Sequence, residues 1–433
     1  MNKPEAMQVL EEIRNVVEDL GEPLGDDFDA RADDGLEDIE VSEGLAHEFK
    51  EALDLNTWTS GESMNQLAAR LEREVELAAK NEGDMAPKVL QALQDSLPHA
   101  PDRSIESGVY NLSVEETTGA ISNILFNGLV EACDGTRVTV STLPVTVMQI
   151  GICLTSYQGH GDGGTLGHRL FRHDIMRKNG NAEQEVRDFL ARRSRRTKSD
   201  LRNEFGDDDR PLDISDMLCR ALMIYAERAM LAEKSTRPWR MGHGGPMPHE
   251  LIVGSGRIEM ALASFDMLRR LLLGHKKFIF VPSEISDAAV VTIANCLQPL
   301  QYAVLRNTKD IIEGYIAGSS YERPHYKAKG VYQKVRAFQE DVGSKVVLGV
   351  YRASAMCPGR VFYAHEDYVH DAAQIVIADS ALQEARGFPN LIDIADRTCK
   401  GMFEPGGLSA QVHAALARSG SPFRFLGERD NRP

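Results

Sequence analysis

The stretch Cys133-Asp134-Gly135-Thr136-Arg137-Val138-Thr139-Val140 marks the point where the sequence changes from helical to strand-like patterning. Apolar residues alternate from Val138, and an apolar run follows at 145–154, a pattern that indicates paired β-strands. The Asp-Gly pair has two interpretations. It is a common hairpin turn, but a glycine beside a strand carboxylate also permits close approach to the backbone while the strand directs the oxygens. The second interpretation makes Asp134 a candidate site residue.

The composition is that of a soluble globular protein of two or three domains. The chain has 433 residues, 42% hydrophobic and 26% charged, as is usual for such proteins. No apolar run approaches the roughly 18 residues that a membrane-spanning helix needs, and the acidic first residues do not resemble a signal peptide. The six cysteines are scattered, which predicts reduced thiols and a cytoplasmic location.

The negative charge is concentrated at the start of the chain. Residues 1–106 contain 27 Asp and Glu against 9 Lys and Arg, a net charge of −18, whereas the whole chain carries −16. Residues 107–433 are therefore close to neutral, so the negative net charge of the whole chain does not exclude a nucleic-acid partner. Helical patterns occur at 61–82 and 84–97. We predict an acidic α-helical N-terminal region, 1–106, and a body, 107–433.

Two helical patterns in the body carry carboxylates. Residues 213–234 are apolar on both faces around Glu227, which predicts a buried helix. A carboxylate there must be neutral, ion-paired or bound to a metal. The pattern over 391–399 places Asp393 and Asp396 on one face. An acid in the first turn is explained by the helix dipole, so Asp396, which lies deeper in the helix, is the stronger candidate.

Apolar segments at 278–281 and 346–350 predict central strands of a sheet that is covered on both faces. The densest basic cluster is a candidate phosphate-binding path, although it is equally consistent with a solvated helix end. Arg137 on the first strand is a further candidate for contact with nucleic acid. The cluster comprises Arg187, Arg192, Arg193, Arg195, Arg196 and Lys198.

Three segments, in this order, resemble the NurA family of nucleases. They are Asp134-Gly135-Thr136-Arg137, the Ala226-Glu227-Arg228 of a helix, and Gly387-Phe388-Pro389-Asn390-Leu391-Ile392-Asp393-Ile394-Ala395-Asp396-Arg397. The resemblance covers roughly residues 110–405. It implies a ribonuclease-H-like mixed sheet flanked by helices, a manganese or magnesium cofactor, DNA as substrate, a homodimer, and docking on a HerA-like hexameric ATPase.

The resemblance also implies site residues. The family's strand aspartate corresponds to Asp134 and its helical glutamate to Glu227, while Asp396 stands where the family has a ligand histidine. Aspartate is a suitable ligand for a hard cation. Asp134, Glu227 and Asp396 are thus the predicted catalytic and metal-binding residues.

One segment departs from the family. A second family strand ends in Asp-Gly; we align it with 250–257, where Gly254 occupies the aspartate position. Glu259, one helical turn later, is the predicted substitute ligand.

These observations predict a metal-dependent DNA nuclease subunit that processes DNA ends or acts against invading DNA. Two alternatives remain open. The first is a member that has lost a ligand at Gly254 and guides DNA or assists assembly. The second is a PIWI-like nucleic-acid-binding domain, which shares the fold but requires a guide-end pocket that the sequence does not display.

Overall fold

The computed structural model divides into two compact units. The smaller takes its described residues from 52–80 and 316–332, and the larger from 81–315 and 333–420. The predicted boundary after residue 106 stays a prediction, and the basic cluster 187–198 lies outside the described residues. The structure describes residues 52–56, 64–101, 103–142, 145–158, 165–178, 216–254, 258–284, 287–317, 321 and 330–420.

The first long helix is continuous where two helices were predicted. Helix α1 (Met64–Ser96) runs for 33 residues through the expected break and contains Pro87. The break was expected at Gly83 and its neighbours. A glycine inside a helix costs only about 1 kcal/mol, which the long helical patterns on either side offset.

Nine described strands form one mixed sheet in the order β1-β7-β8-β9-β6-β5-β2-β3-β4. Strand β5 is parallel to β2 and to β6, and the other pairs are antiparallel. The predicted mixed sheet flanked by helices is confirmed. The strands are β1 (Gly108–Asn111), β2 (Val130–Ser141), β3 (Val145–Gln158), β4 (Thr165–Lys178), β5 (Trp239–His243), β6 (Phe278–Val281), β7 (Gln301–Asn307), β8 (Val346–Arg352) and β9 (Arg360–His365).

The remaining helices include the two that were predicted to carry carboxylates. Helix α3 contains Glu227, and helix α10 contains Asp393 and Asp396. In order, the helices are α2 (Val114–Ala120), α3 (Asp216–Glu233), α4 (His249–Ile252), α5 (Ile258–Arg269), α6 (Ala288–Cys296), α7 (Lys309–Ile316), α8 (Val331–Phe338), α9 (Val369–Ala381), α10 (Asn390–Met402) and α11 (Pro405–Arg418), with π-helical turns at Ile121–Leu125, Arg270–His275 and Gln339–Gly343.

Apolar layers cover both faces of the sheet. Strand β7 shows this by alternation: Tyr302 and Val304 belong to a core with helices α9 and α10, whereas Ala303 and Leu305 pack with helix α6 on the other face. All four residues of β6 are buried, as predicted for a central strand.

The parallel strands end where the candidate residues begin. The last pair between β2 and β5 is Cys133 with Gly242, so β5 stops at His243 while β2 continues beside β3 to Ser141. Asp134 and Gly135 lie inside β2, and the hairpin-turn interpretation is therefore wrong. Carboxyl ends of strands in open α/β sheets form crevices, and Asp134 lies beside such an end.

Candidate active site

A cavity of about 370 Å³ lies beside Asp134 at the carboxyl ends of β5 and β6. Its lining mixes acids with bases, an arrangement that suits a phosphate ester and the groups acting on it. The residues that line it are Asp134, His243, Ser283, Arg360, Arg386, Phe388, Ile392, Asp393, Asp396 and Lys400.

The Asp134 carboxylate is held from two sides. The residue is only 4% exposed. The backbone N–H of Gly135 donates to Oδ1 at 2.8 Å, and Nδ1 of His243 lies 3.4 Å from Oδ2. Neither partner is a lysine or an arginine, so the carboxylate retains acceptor capacity toward the cavity.

His243 is the residue that ends strand β5. Gly244 follows with φ of +79°, a conformation that favours glycine and turns the chain away from the sheet. The imidazole meets the edge of Phe388, with ring centroids 5.9 Å apart. Burial disfavours its charged form, but the hydrogen bond and charge of Asp134 outweigh that effect, so the pKa of His243 is raised above its ordinary value.

Glu227 lies behind Asp134 and does not line the cavity. A Cβ on Gly135 would stand 2.7 Å from Oε1 of Glu227, so the glycine makes room for this carboxylate. Arg228 pairs with Oε2 and also donates to the carbonyl oxygens of His243 and Gly245, at 2.8 and 2.7 Å. Burial raises the pKa of Glu227 to about 7, opposed by Arg228 and reinforced by Asp134. The Glu227–Arg228 pair therefore links β2, at Gly135, to the end of β5.

Helix α10 contributes two aspartates to the cavity, and each is paired with its own basic side chains. Asp393 is bonded by Arg386 and, at 2.9 Å, by Arg397. Asp396 accepts from Lys400, whose Nζ lies 2.8 Å from Oδ1. The Lys400 side chain is 65% exposed, and an exposed pair one turn apart contributes only about 0.3–0.5 kcal/mol. A stronger cation can displace Lys400 from Asp396.

Arg360 differs from the other basic residues of the cavity because no acid among the described residues pairs with it. Its Nη2 donates to the carbonyl oxygen of Arg386 at 2.8 Å. Its Nε is buried and has no hydrogen-bond partner within the described part of the chain. The guanidinium carbon lies 5.9 Å from the ring centre of Phe388. This positive charge is available to an anionic ligand.

The cavity brings together candidate donors for one divalent ion. Within the described ranges, no three His, Cys, Asp or Glu side chains stand together as a ready metal site. Asp134, His243 and Asp396 nevertheless line the same cavity, and the two carboxylates are the kind of ligand that suits manganese and magnesium. Binding requires Asp396 to leave the exposed Lys400. Glu227 is held by the buried Arg228, so it is unsuited to a second ion.

The alignment of the family's second strand with 250–257 is wrong. Residues His249–Ile252 are helical, and Gly254 lies outside the cavity lining with φ of +61°. The strand that ends beside Asp134 is β5, and it ends in His243-Gly244. The strand end beside Asp134 therefore carries a histidine that is followed by a glycine with positive φ.

The other predicted residues are not brought to the cavity. Glu259 lies exposed in the first turn of α5, and Arg137 is half-buried on β2; neither lines the cavity. Of the predicted catalytic set, Asp134 and Asp396 share the cavity and Glu227 supports it from behind. Whether these residues are catalytic stays a prediction.

Sequence reasoning missed His243, Arg360, Arg386 and Lys400. A signal for His243 was present: Trp239 and Met241 alternate with polar residues up to His243, and two glycines follow, which is a strand with a turn after it. No comparable signal marks Arg360, because its position in the cavity depends on the pairing of β9 with β8 and on the approach of α10.

The structure is similar to solved structures of NurA nucleases, the family whose motifs the sequence resembles. The NurA nuclease from Sulfolobus solfataricus has 9% identity and a TM-score of 0.44, over 82% of this chain and 98% of that one. NurA bound to dAMP and manganese has 11% identity and a TM-score of 0.33, over 86% and 99%. No protein-family model and no curated protein matches the sequence.

Proposed function

We propose that this chain is a deoxyribonuclease subunit that depends on a divalent metal ion, Mn²⁺ or Mg²⁺, and hydrolyses phosphodiester bonds. The observation that carries the proposal is the meeting of Asp134, His243 and Asp396 in one cavity with Arg360, which pairs with no acid among the described residues. Acceptors for a cation and a donor for a phosphate thus line the same cavity, and metal-assisted phosphodiester hydrolysis uses both.

Each side chain has a distinct task in this proposal. The Gly135 N–H orients the Asp134 carboxylate, and His243 lies beside that carboxylate. Together with Asp396, these two side chains would hold the ion. Bound there, a divalent ion supplies a water of lowered pKa and neutralises charge on the phosphate. Arg360 donates N–H groups to a non-bridging phosphate oxygen, since an arginine fork matches phosphate geometry.

The leading test is DNA cleavage by the full chain with Mn²⁺. Asp134→Asn should lower the cleavage rate at least about a thousandfold, because stabilisation by a metal ion is worth several kcal/mol. Asp371→Asn, which changes an exposed acid in the first turn of α9, is the matched control and should cleave normally. Calorimetric titration with Mn²⁺ should show binding that Asp134→Asn loses. Cleavage at the wild-type rate by Asp134→Asn would refute the assignment.

A second candidate function is a DNA-guiding or assembly subunit without cleavage. It is favoured by the pairing of each cavity carboxylate with a basic side chain and by His243 at the strand end. The same assay separates the two functions. This candidate predicts that the wild type binds DNA without cutting it in either metal, and that Arg360→Gln weakens the binding.

We further propose a homodimer that docks on a HerA-like hexameric ATPase and acts in DNA-end processing or defence against invading DNA. The sequence motifs at 134–137, 226–228 and 387–397 support this, since the family they resemble works in that form. Light scattering should give the mass of a dimer, and an ATPase of this class should co-purify from the native source. A monomer that purifies without an ATPase would contradict the proposal.

A further inference from the structure

A second cavity, of about 380 Å³, lies where the start of β2, the end of β3 and the start of β4 meet. Glu131 and Asp134 are three residues apart on β2, so their side chains point to opposite faces of the sheet. The cavity beside Glu131 is thus separate from the candidate active site. It is lined by Glu131, Ser156, Gln158, Gly167, His168, Arg169, Thr236 and Arg237.

Glu131, the only acid among the described lining residues, is already neutralised. Glu131 is 3% exposed, and Nη2 of Arg169 lies 2.7 Å from one of its oxygens and 2.8 Å from the other. Arg240 stands opposite Glu131 in the β2–β5 register, and its charge also interacts with that carboxylate. Two guanidinium groups therefore surround one carboxylate, which leaves the region with excess positive charge.

Two further groups in the lining have donors without partners. Arg237 is half-buried and makes no hydrogen bond or ion pair with any residue that the structure describes. Its guanidinium carbon lies 3.9 Å from where a Cβ would stand on Gly128, so the absent side chain gives it room. Ser156 is 2% exposed and lines the same cavity, and its hydroxyl makes no hydrogen bond with a residue that the structure describes.

We propose that this second cavity binds a phosphate group. A phosphate offers only acceptors, which matches the fork of Arg237 and the Ser156 hydroxyl. The exposed hydroxyl of Thr236 lies in the same lining. The cavity volume falls within the range of about 300–1,000 Å³ for small-molecule sites, so the phosphate can be free or part of a nucleotide or nucleic-acid end. This site does not depend on whether the chain cleaves DNA.

The test is calorimetric titration of the full chain with inorganic phosphate in the presence of EDTA, which prevents cleavage. Arg237→Gln should weaken phosphate binding at least about tenfold, because a hydrogen bond to a charged group contributes about 1.5–3 kcal/mol. Ser156→Ala should weaken it by a smaller factor, and Arg237→Lys should retain part of the affinity. Circular dichroism establishes that each variant is folded.

Arg172→Gln is the matched control, since it changes an exposed arginine of β4 that pairs with Asp174 and lies outside this lining, and it should leave phosphate binding unchanged. The proposal is overturned if the wild type binds no phosphate, or if Arg360→Gln abolishes binding while Arg237→Gln does not. Two oligonucleotides of one sequence, with and without a 5′-phosphate, identify the source. Tighter binding of the phosphorylated strand, lost in Arg237→Gln, assigns the site to a nucleic-acid end. Equal binding of both strands, with phosphate still bound, assigns it to free phosphate.

Discussion

Asp134 and Glu131 lie three residues apart on one strand and are both almost fully buried, at 4% and 3% exposure, yet their surroundings differ. Glu131 has both oxygens bonded to Arg169. Asp134 is held by the neighbouring Gly135 N–H and by His243, and it faces an open cavity. The comparison shows that burial alone does not make an acid chemically useful. The partners decide whether its oxygens remain available.

Asp379 shows a third way to accommodate a buried acid, which is protonation of its carboxyl group. Its substitution should give the largest change in stability. Asp379 is fully buried, accepts from the Tyr157 hydroxyl and the Leu391 N–H at 3.1 and 2.9 Å, and has no basic partner among the described residues. Burial raises its pKa to about 7. Between about pH 4 and 7 the unfolded chain loses this proton while the folded chain keeps it, so stability falls as pH rises.

Asp379→Asn should remove that share of the decline, which amounts to up to about 3 kcal/mol across this pH range. Urea unfolding of wild type and variant at pH 4.5, 6 and 7.5 measures it. Asp371→Asn, on the same helix but exposed, should follow the wild type. If Asp379→Asn shows the wild-type pH dependence, Asp379 is ionised in the folded protein and is not an acid neutralised by a proton.

Removing Arg169, the partner of Glu131, tests directly whether this buried acid depends on a basic side chain. Arg169→Leu leaves a buried carboxylate with only the more distant charge of Arg240, and should destabilise the fold by about 2 kcal/mol. Arg172→Leu on the same strand breaks a more exposed pair with Asp174 and should cost less than about 0.5 kcal/mol. Chemical denaturation measures both. Equal losses of stability in the two variants would mean that the buried Glu131 carboxylate does not depend on Arg169, which would remove its contrast with Asp134.

The smallest effect concerns Gly254, which was predicted to stand where the family has a ligand aspartate. Gly254→Asp should cost about 1 kcal/mol, because φ is +61° and a Cβ would lie 2.8 Å from the Ala261 backbone nitrogen. It should not raise cleavage, since Gly254 is outside the cavity.

His243→Asp should instead shift the metal preference toward Mg²⁺, which favours oxygen ligands. Denaturation and cleavage rates in each metal test this, and a gain of activity in Gly254→Asp would restore the original alignment.

Much of the secondary structure could be predicted because hydrophobic periodicity is local. The strand at 278–281 and the helices around Glu227 and Asp396 formed as expected. The apolar run before Gly254 was misassigned to a strand. A short run of this kind fits a buried helix equally well, and α4 buries Leu251 and Ile252.

The candidate site could be predicted only in part. Asp134 was a candidate because it precedes a glycine in a strand-like segment, and Asp396 because it lies beyond the first turn of its helix; the family resemblance assigned both to the site. Their basic neighbours in the cavity were not found, because the strand pattern that ends at His243 was not used and Arg360 looks ordinary in its own segment. Motif spacing therefore located the acids but not the basic groups around them.

The sequence by itself determined the periodicity of the elements, the mixed α/β class and the acids worth examining, because these depend on residues a few positions apart. Only the tertiary structure decided that β5 ends beside Asp134, that Arg228 holds Glu227, and that no acid in the described part of the chain pairs with Arg360 or Arg237. The reason is physical. Ion pairing and desolvation act through space over a few ångströms, and strand pairing brings together groups that are far apart along the chain.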